Sequence, residues 1–234
     1  MSLQASSLTA AVAAAALTVL PMVALTTATR ADADQPAGYG PSDPFDDALM
    51  GDTGPVEPMK NQAKIKRTRY GYRITAGQQN SHMTIRVVGR RLWIADTGTR
   101  QWKSLARACR AVRVPVGVAA RCRVPASTRP ANPTLLEVHP RLGNDYINGR
   151  SLPAVFEMAV LADRGHDVVY AGSGNDFVNG AQNADRVSGG AGNDWMRGGK
   201  AGDVMVGNSG RDYMVGQYGP DIIRGGPGTD RIFY

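Results

Sequence analysis

The stretch that decides the fold is Gly189-Gly190-Ala191-Gly192-Asn193-Asp194-Trp195-Met196-Arg197, because its pattern recurs every nine residues. An aspartate occupies the same phase at Asp167, Asp176, Asp185, Asp194, Asp203, Asp212, Asp221 and Asp230. Two positions after each aspartate stands an apolar residue, and two positions before it stands a glycine in every unit except at Asn183 and Ala201. Three residue classes in one phase indicate a structural repeat rather than a flexible Gly/Asp-rich linker.

The residue types in this repeat are suited to binding a hard cation. Glycine adopts positive φ without a Cβ clash, so tight turns can bring carbonyl oxygens together. Aspartate adds a charged oxygen, and calcium takes about six to eight oxygen ligands. The three residues after each aspartate predict a very short strand whose central side chain points inward. The candidate calcium ligands are the eight aspartates and the glycines Gly174, Gly192, Gly210 and Gly228.

Two repeats in each turn of a roll, about eighteen residues, would place the loops on two edges. One edge is predicted to carry Asp176, Asp194, Asp212 and Asp230. The other edge is predicted to carry Asp167, Asp185, Asp203 and Asp221. Loops that follow each other on one edge should lie about 4.8 Å apart, which allows a cation to bind between them. Weaker sites are expected on the second edge, because Asn183 and Ala201 replace glycine there.

Over residues 162–234 the chain resembles the RTX, or haemolysin-type calcium-binding, repeat family. The resemblance implies an all-β fold in which residues 141–234 form a right-handed parallel β-roll that folds when calcium binds. A second resemblance, to secreted calcium-binding repeat proteins of actinobacterial type, rests on three features. They are a strand hairpin ending in Asp96-Thr97, a pair of cysteines, and the turn Gly143-Asn144-Asp145. It implies that residues 72–160 form a β cap stacked on the roll.

The N-terminal part of the chain is typical of an exported protein. An apolar run without charge spans residues 8–25, and small residues lead to Ala31-Asp32-Ala33. The sequence therefore predicts a signal peptide over residues 1–33, with an uncleaved membrane anchor as the alternative. Residues 34–59 are rich in Pro, Gly and Asp and predict a disordered linker. We expect the protein to be secreted and then either free or associated with the cell surface.

Residues 60–140 are predicted to form a basic, β-rich segment. Alternating residues predict strands on either side of Gly89-Arg90, a tight hairpin turn, and a further strand at Leu135–Val138. Cys109 and Cys122 are the only cysteines, and in an exported chain they most simply form one disulfide. Closing that loop would stabilise the fold by about 3 kcal/mol on the chain-entropy model.

Charge is distributed unevenly along the chain, whose formal net charge is +7. Residues 60–141 hold eighteen Lys and Arg against two Asp and Glu, whereas the segments on either side are net acidic. The basic segment suits an anionic or cell-wall polymer, lipid head groups or nucleic acid; the alternative is a solvated face that offsets the acidic roll. Few aromatic residues are interleaved with it, which argues against sequence-specific nucleic-acid recognition.

Motifs for catalysis are missing from the sequence, so we expect a protein that is not an enzyme. None of the histidines forms an HExxH zinc site, and no Gly-x-Ser-x-Gly nucleophile motif is present. The residues after three of the aspartates, Phe177, Trp195 and Tyr213, would form an outward column. This column is a candidate ligand face for a glycan or a partner, as in an adhesin; the alternative is a stabilising stack within one sheet. The open end after the last repeat also makes self-association possible, unless Phe233 and Tyr234 fold over it.

Overall fold

The computed structural model describes residues 59–234. The predicted signal peptide (1–33) and linker (34–59) lie outside the described residues, apart from Met59, which is buried. All regular elements in residues 59–234 are strands. In the same residues there is no helix of the length and apolarity needed to cross a membrane.

Eighteen strands make up the fold. They are β1 (Gln62–Arg67), β2 (Gly71–Thr75), β3 (His82–Val88), β4 (Arg91–Asp96), β5 (Gln101–Leu105), β6 (Cys109–Val112), β7 (Val118–Arg123), β8 (Thr134–His139), β9 (Tyr146–Asn148), β10 (Phe156–Leu161), β11 (Val168–Tyr170), β12 (Phe177–Ala181), β13 (Arg186–Ala191), β14 (Trp195–Lys200), β15 (Val204–Ser209), β16 (Tyr213–Tyr218), β17 (Ile222–Arg224) and β18 (Arg231–Phe233). Sheet A has the order β18-β16-β14-β12-β10-β8-β2-β1-β5, and sheet B has the order β17-β15-β13-β11-β9-β3-β4-β7-β6.

The C-terminal strands alternate between the two sheets, so each strand pairs in parallel with the strand one full turn away. In sheet A, Val178 of β12 lies opposite Met196 of β14, and in sheet B, Val187 of β13 lies opposite Met205 of β15. The two residues of each pair are eighteen positions apart in the sequence, as two nonapeptides per turn predict. The all-β, parallel β-roll expected from the repeat is therefore confirmed.

The core of the roll is a single file of inward side chains, each from the second residue of its strand. Val169, Val178, Val187, Met196, Met205 and Met214 are each at most 3% exposed. The file opens at the C-terminal end, where Ile232 is 36% exposed. Phe233 packs against Tyr213 with ring centroids 5.2 Å apart, and Tyr234 is 77% exposed. These two residues therefore leave Ile232 partly uncovered, and self-association through this end stays a prediction.

The basic segment extends the same two sheets. β2 pairs in parallel with β8, and β3 pairs in parallel with β9, so the first strands are hydrogen-bonded continuations of the roll. Beyond them the pairing becomes antiparallel, through β1 in sheet A and through β4, β7 and β6 in sheet B. The predicted hairpin at Gly89-Arg90 is present, and Gly89 has a φ of 60°. The predicted disulfide between Cys109 and Cys122 joins β6 to β7 and is confirmed.

Candidate calcium site

The first edge of the roll carries a ladder of hydrogen bonds between aspartates of successive turns. The N–H of Asp176 donates to Oδ1 of Asp194 at 2.8 Å, and the N–H of Asp194 donates to Oδ1 of Asp212 at 2.9 Å. Asp212 donates in the same way to Asp230 at 3.0 Å. The ladder begins at Met158, whose N–H donates to Oδ1 of Asp176 at 2.6 Å. One carboxylate oxygen of each aspartate therefore holds the preceding turn in register.

The second edge carries a longer ladder of the same kind. The N–H groups of Asp167, Asp185 and Asp203 each donate at 2.8 Å to Oδ1 of the aspartate eighteen residues further on. This ladder continues backward to Asp145, whose N–H donates to Oδ1 of Asp167 at 2.7 Å. It begins at Ser81, whose N–H donates to Oδ1 of Asp145 at 2.5 Å. The predicted division of the aspartates between two edges matches these ladders.

The second oxygen of most ladder aspartates is buried without a hydrogen-bond partner among the described residues. This holds for Oδ2 of Asp145, Asp167, Asp185, Asp194, Asp203 and Asp212. All six side chains are at most 2% exposed. A buried polar atom that makes no hydrogen bond costs free energy, and the cost is larger for a charged group. Six such atoms at equivalent positions are therefore suited to binding a cation.

A glycine five positions before the aspartate makes room for four of these free oxygens, those of Asp185, Asp194, Asp203 and Asp212. A Cβ built on Gly198 would collide with Oδ2 of Asp203 and would lie 2.8 Å from the carbonyl oxygen of Gly216 on the next turn. Gly180 is placed in the same way beside Asp185 and the carbonyl oxygen of Gly198. The free carboxylate oxygen and a backbone carbonyl oxygen thus converge on the space above each of these glycines.

The glycines two positions before the aspartates, which are among the candidate calcium ligands, have a different structural role. A Cβ on Gly192 would collide with the carbonyl of Gly174, one on Gly210 with that of Gly192, and one on Gly228 with that of Gly210. These glycines therefore let successive turns stack closely on the first edge. On the second edge, Asn183 and Ala201 adopt φ values of 72° and 78°, a region that favours glycine. The alanine has no side-chain group to offset that strain.

Burial changes the titration of the ladder carboxyls. Removal from water raises the pKa of Asp145 and of Asp185 to about 8, and that of Asp167, Asp203 and Asp212 to about 6. Burial also raises the pKa of Asp176 and of Asp194. Neighbouring carboxylates in the ladder add to the rise at Asp185 and Asp194. The metal-free edges therefore disfavour their own negative charge.

These oxygens fit calcium. The donors are hard oxygens, carboxylate and carbonyl, which calcium prefers and softer metals do not. No group of three Asp, Glu, His or Cys side chains within residues 59–234 is close enough to hold an ion by itself. Backbone carbonyls on the two edges would therefore have to supply part of any coordination shell, as the space above Gly198 allows. A bound calcium ion would supply the positive charge that the free Oδ2 atoms lack.

Comparison with protein families agrees with this geometry. The model for the RTX calcium-binding nonapeptide repeat matches residues 160–187, 179–214 and 206–234. Residues 160–234 are RTX calcium-binding repeats. The chain matches no curated protein and no solved structure. The RTX match covers about a third of the chain and leaves the basic segment outside it.

Asp145 belongs to the second-edge ladder although it precedes the matched RTX repeats. The nonapeptide phase misses it, because four additional residues separate Ile147 from Val160 compared with the later turns. Strand β9 nevertheless pairs with β11, which places Tyr146 opposite Val168. The local pattern Gly143-Asn144-Asp145 was the only signal in the sequence for this residue. The glycines five positions before the aspartates, from Gly180 to Gly225, also recur every nine residues and are a sequence signal for the space beside the free oxygens.

Asp176 differs from the other predicted RTX ligands. Both of its carboxylate oxygens accept backbone hydrogen bonds, Oδ1 from Met158 and Oδ2 from Gly172 at 2.7 Å. The residue five positions before Asp176 is a buried alanine, Ala171, and not a glycine. Asp176 therefore caps the first edge of the RTX roll through its hydrogen bonds, and its role as a ligand stays a prediction.

The aromatic column of the RTX roll is a file of rings in contact. Phe177 and Trp195 have ring centroids 5.3 Å apart and Trp195 and Tyr213 5.9 Å apart, both edge to face. Phe177 is 1% exposed and packs with Leu135 and Ala159. It therefore contributes packing rather than accessible surface, which leaves Trp195 and Tyr213, both half-buried, for the predicted ligand face.

Proposed function

We propose that the protein is a calcium-dependent extracellular module whose roll folds when calcium binds along the two aspartate ladders. The observation that carries the proposal is the set of buried Oδ2 atoms without partners among the described residues, four on the second edge and two, those of Asp194 and Asp212, on the first. Their carboxylates repeat along each edge at about the spacing of strands, 4.8 Å, where like charges disfavour compaction.

The apolar core alone does not balance this repulsion. Each nonapeptide buries one central side chain, such as Met196 or Met205, while about nine residues lose conformational freedom on folding. A calcium ion between adjacent loops would attract the carboxylates that otherwise repel each other. Because the site would form only in the folded roll, the free energy of calcium binding would stabilise the fold.

The test is circular dichroism of the full chain in chelator and during a calcium titration. We expect strand signal to be gained at calcium concentrations of about 0.1–1 mM, the range of extracellular calcium modules. Magnesium is the matched control, because it demands a smaller octahedral shell and should give little response at the same concentration. Equal strand signal and equal unfolding midpoints in chelator and in calcium would contradict the proposal.

Export of the protein is the second part of the proposal. It is supported by the apolar run over residues 8–25 and by the disulfide, which persists in oxidising compartments. Expression in a secreting host should yield protein in the medium whose first residue is Asp34. Recovery of intact chain, beginning at Met1, in the membrane fraction would favour the anchor instead.

A further inference from the structure

Five exposed arginines share one surface of the antiparallel part of sheet B. The register of the four strands places Arg86 opposite Trp93, Trp93 opposite Arg121, and Arg121 opposite Arg110. A second row, displaced by two residues along the strands, places Arg91 opposite Arg123. The arginine face is defined as Arg86, Arg91, Arg110, Arg121 and Arg123.

The alternation of the strands explains why these residues point outward together. Their neighbours Ile85, Leu92 and Cys122 are fully buried in the core between the sheets. Adjacent strands are about 4.8 Å apart, and two residues along a strand span about 7 Å. The arginine face is therefore a two-row grid of cations about 14 Å wide.

Among the described residues, no carboxylate pairs with the arginine face. Residues 60–141 contain two acidic residues, Asp96 and Glu137. Asp96 is fully buried and accepts hydrogen bonds from His82, Gly98 and Thr99, and Glu137 pairs with Arg73 in the other sheet. Within residues 59–234, none of the five arginines forms an ion pair.

This arrangement costs the fold stability. Arg91 and Arg123 lie directly opposite each other, as do Arg110 and Arg121, and like charges at such positions destabilise a sheet. Surface charges in a fold selected for stability alone would alternate in sign, as they do in ordinary cross-strand pairs. A bound polyanion would place negative charges between the guanidinium groups. The repulsion between the arginines would then be replaced by attraction to the polyanion.

We propose that the arginine face binds a linear acidic polysaccharide through sulfate or carboxylate groups. Guanidinium groups donate paired hydrogen bonds to such anions, and a flat two-row grid suits an extended chain with one charge every sugar or two. The site lies outside the RTX repeats, so the proposal goes beyond calcium binding and does not rest on the ligands of the roll.

The aromatic content of the face favours a polysaccharide over single-stranded nucleic acid. Trp93 is the single Phe, Tyr or Trp in β3, β4, β6 and β7. The guanidinium carbons of Arg86 and Arg121 lie 5.7 and 6.0 Å from its ring centroid. Base stacking needs free aromatic faces, and these two cations already occupy the ring.

A cleft adjoins one end of the arginine face. Arg90, Arg91 and Arg123 line it together with Val124, Pro125 and Pro153, and its volume is about 580 Å³. That volume is within the range of small-ligand sites. A terminal sugar of the bound chain would find cationic donors on one wall and apolar surface on the other.

The experiment compares two triple variants of the full chain in 1 mM calcium chloride and 0.15 M salt. The face variant is Arg86→Gln/Arg110→Gln/Arg121→Gln. The control variant is Arg186→Gln/Arg211→Gln/Arg224→Gln, three exposed arginines of the roll that remove the same charge. The probes are heparin and dextran sulfate, with uncharged dextran, single-stranded polyuridylate and anionic phospholipid vesicles as further arms.

We expect heparin and dextran sulfate to bind the unmodified chain and uncharged dextran not to bind. The face variant should lose at least about tenfold in affinity, because several charge-assisted hydrogen bonds are removed, and the control variant less than about threefold. Circular dichroism must show the same calcium response in both variants. Equal loss in the two variants, no heparin binding, or tighter binding to polyuridylate or to vesicles would each overturn the proposal.

Discussion

Replacing Asp194 by asparagine should have opposite effects with and without calcium. Oδ1 of Asp194 accepts a hydrogen bond from the N–H of Asp176 at 2.8 Å, and asparagine keeps that acceptor. The substitution changes only the second oxygen, which is buried without a partner among the described residues. In chelator, Asp194→Asn removes an uncompensated buried charge, whereas in calcium it removes a ligand.

The size of the effect in chelator can be bounded at pH 7. The folded chain can always relieve the buried charge by binding a proton, so the cost cannot exceed that of protonating a carboxyl of ordinary pKa 3.8. At pH 7 that cost is about 4 kcal/mol. The new amide N–H₂ is also buried, which costs about 1–3 kcal/mol. We therefore expect Asp194→Asn to stabilise the metal-free roll by about 1–3 kcal/mol.

In calcium the sign should reverse. Loss of groups that only orient metal ligands lowers metal affinity about 10–100-fold, and loss of a charged ligand should cost at least as much. The calcium midpoint of folding should therefore rise at least about tenfold. Both values come from circular dichroism of the full chain: the metal-free roll is folded in chelator by a stabilising osmolyte, and the calcium-bound roll is folded by a calcium titration.

Asp96 is the matched control for this substitution. It is also fully buried, but its two oxygens accept three hydrogen bonds, from the N–H groups of His82 and Gly98 and from Thr99 Oγ1. Asp96→Asn should therefore destabilise the fold equally with and without calcium. Destabilisation by Asp194→Asn in chelator together with an unchanged calcium midpoint would show that Asp194 is a structural residue, and would refute the reasoning.

Three further predictions concern the roll. Ala201→Gly should stabilise the calcium-bound fold by about 1 kcal/mol in urea unfolding, because Ala201 has a φ of 78°, whereas Ala184→Gly, at a position without positive φ, should not. Asp194→Ala should raise the calcium midpoint more than Asp203→Ala, because Ala201 strains the loop before Asp203; equal midpoints would contradict this. In chelator, stability should be greatest below about pH 4 and should fall as pH rises toward about 8, because burial raises the pKa of Asp145 and Asp185 above the ordinary 3.8. In chelator, a midpoint of osmolyte-induced folding that falls as pH rises over that window would show that these carboxyls are not held in the folded state.

The repeat made the roll predictable because its periodicity is local. Nearly every nonapeptide carries its own turn glycine, ladder aspartate and inward apolar residue, so the two edges and the file of inward side chains follow from spacing. The predicted strand length of three residues is too short for β13, β14, β15 and β16, which contain six residues each. Asp145 is recognisable in the sequence as part of a half-copy of the repeat, and its distance of 22 residues from Asp167 indicates an insertion. Spacing alone did not place it in the ladder, because the four additional residues take it out of the nine-residue phase. The free Oδ2 atoms could not be foreseen, since they depend on whether a second backbone N–H reaches the other carboxylate oxygen, as that of Gly172 does at Asp176.

The arginine face was not predictable for a different reason. Alternation within β3, β4, β6 and β7 assigns each arginine to the outward side, but it does not say which arginines become neighbours. That depends on antiparallel register between strands far apart in sequence. Two local devices set it: the tight turn at Gly89 aligns Arg86 with Trp93, and the disulfide aligns Cys109 with Cys122.

The disulfide therefore has a consequence for the surface as well as for stability. Strand β6 is the outermost strand of sheet B and contains four residues, so few hydrogen bonds hold it. Because Cys109 lies opposite Cys122, the next pair of residues along the two strands is Arg110 and Arg121. Their like charges repel each other. A covalent link is a direct way to hold such a pair on an edge strand. The disulfide lies beside the arginine face and not within the roll. At this position it can hold the arginines together before an anion binds.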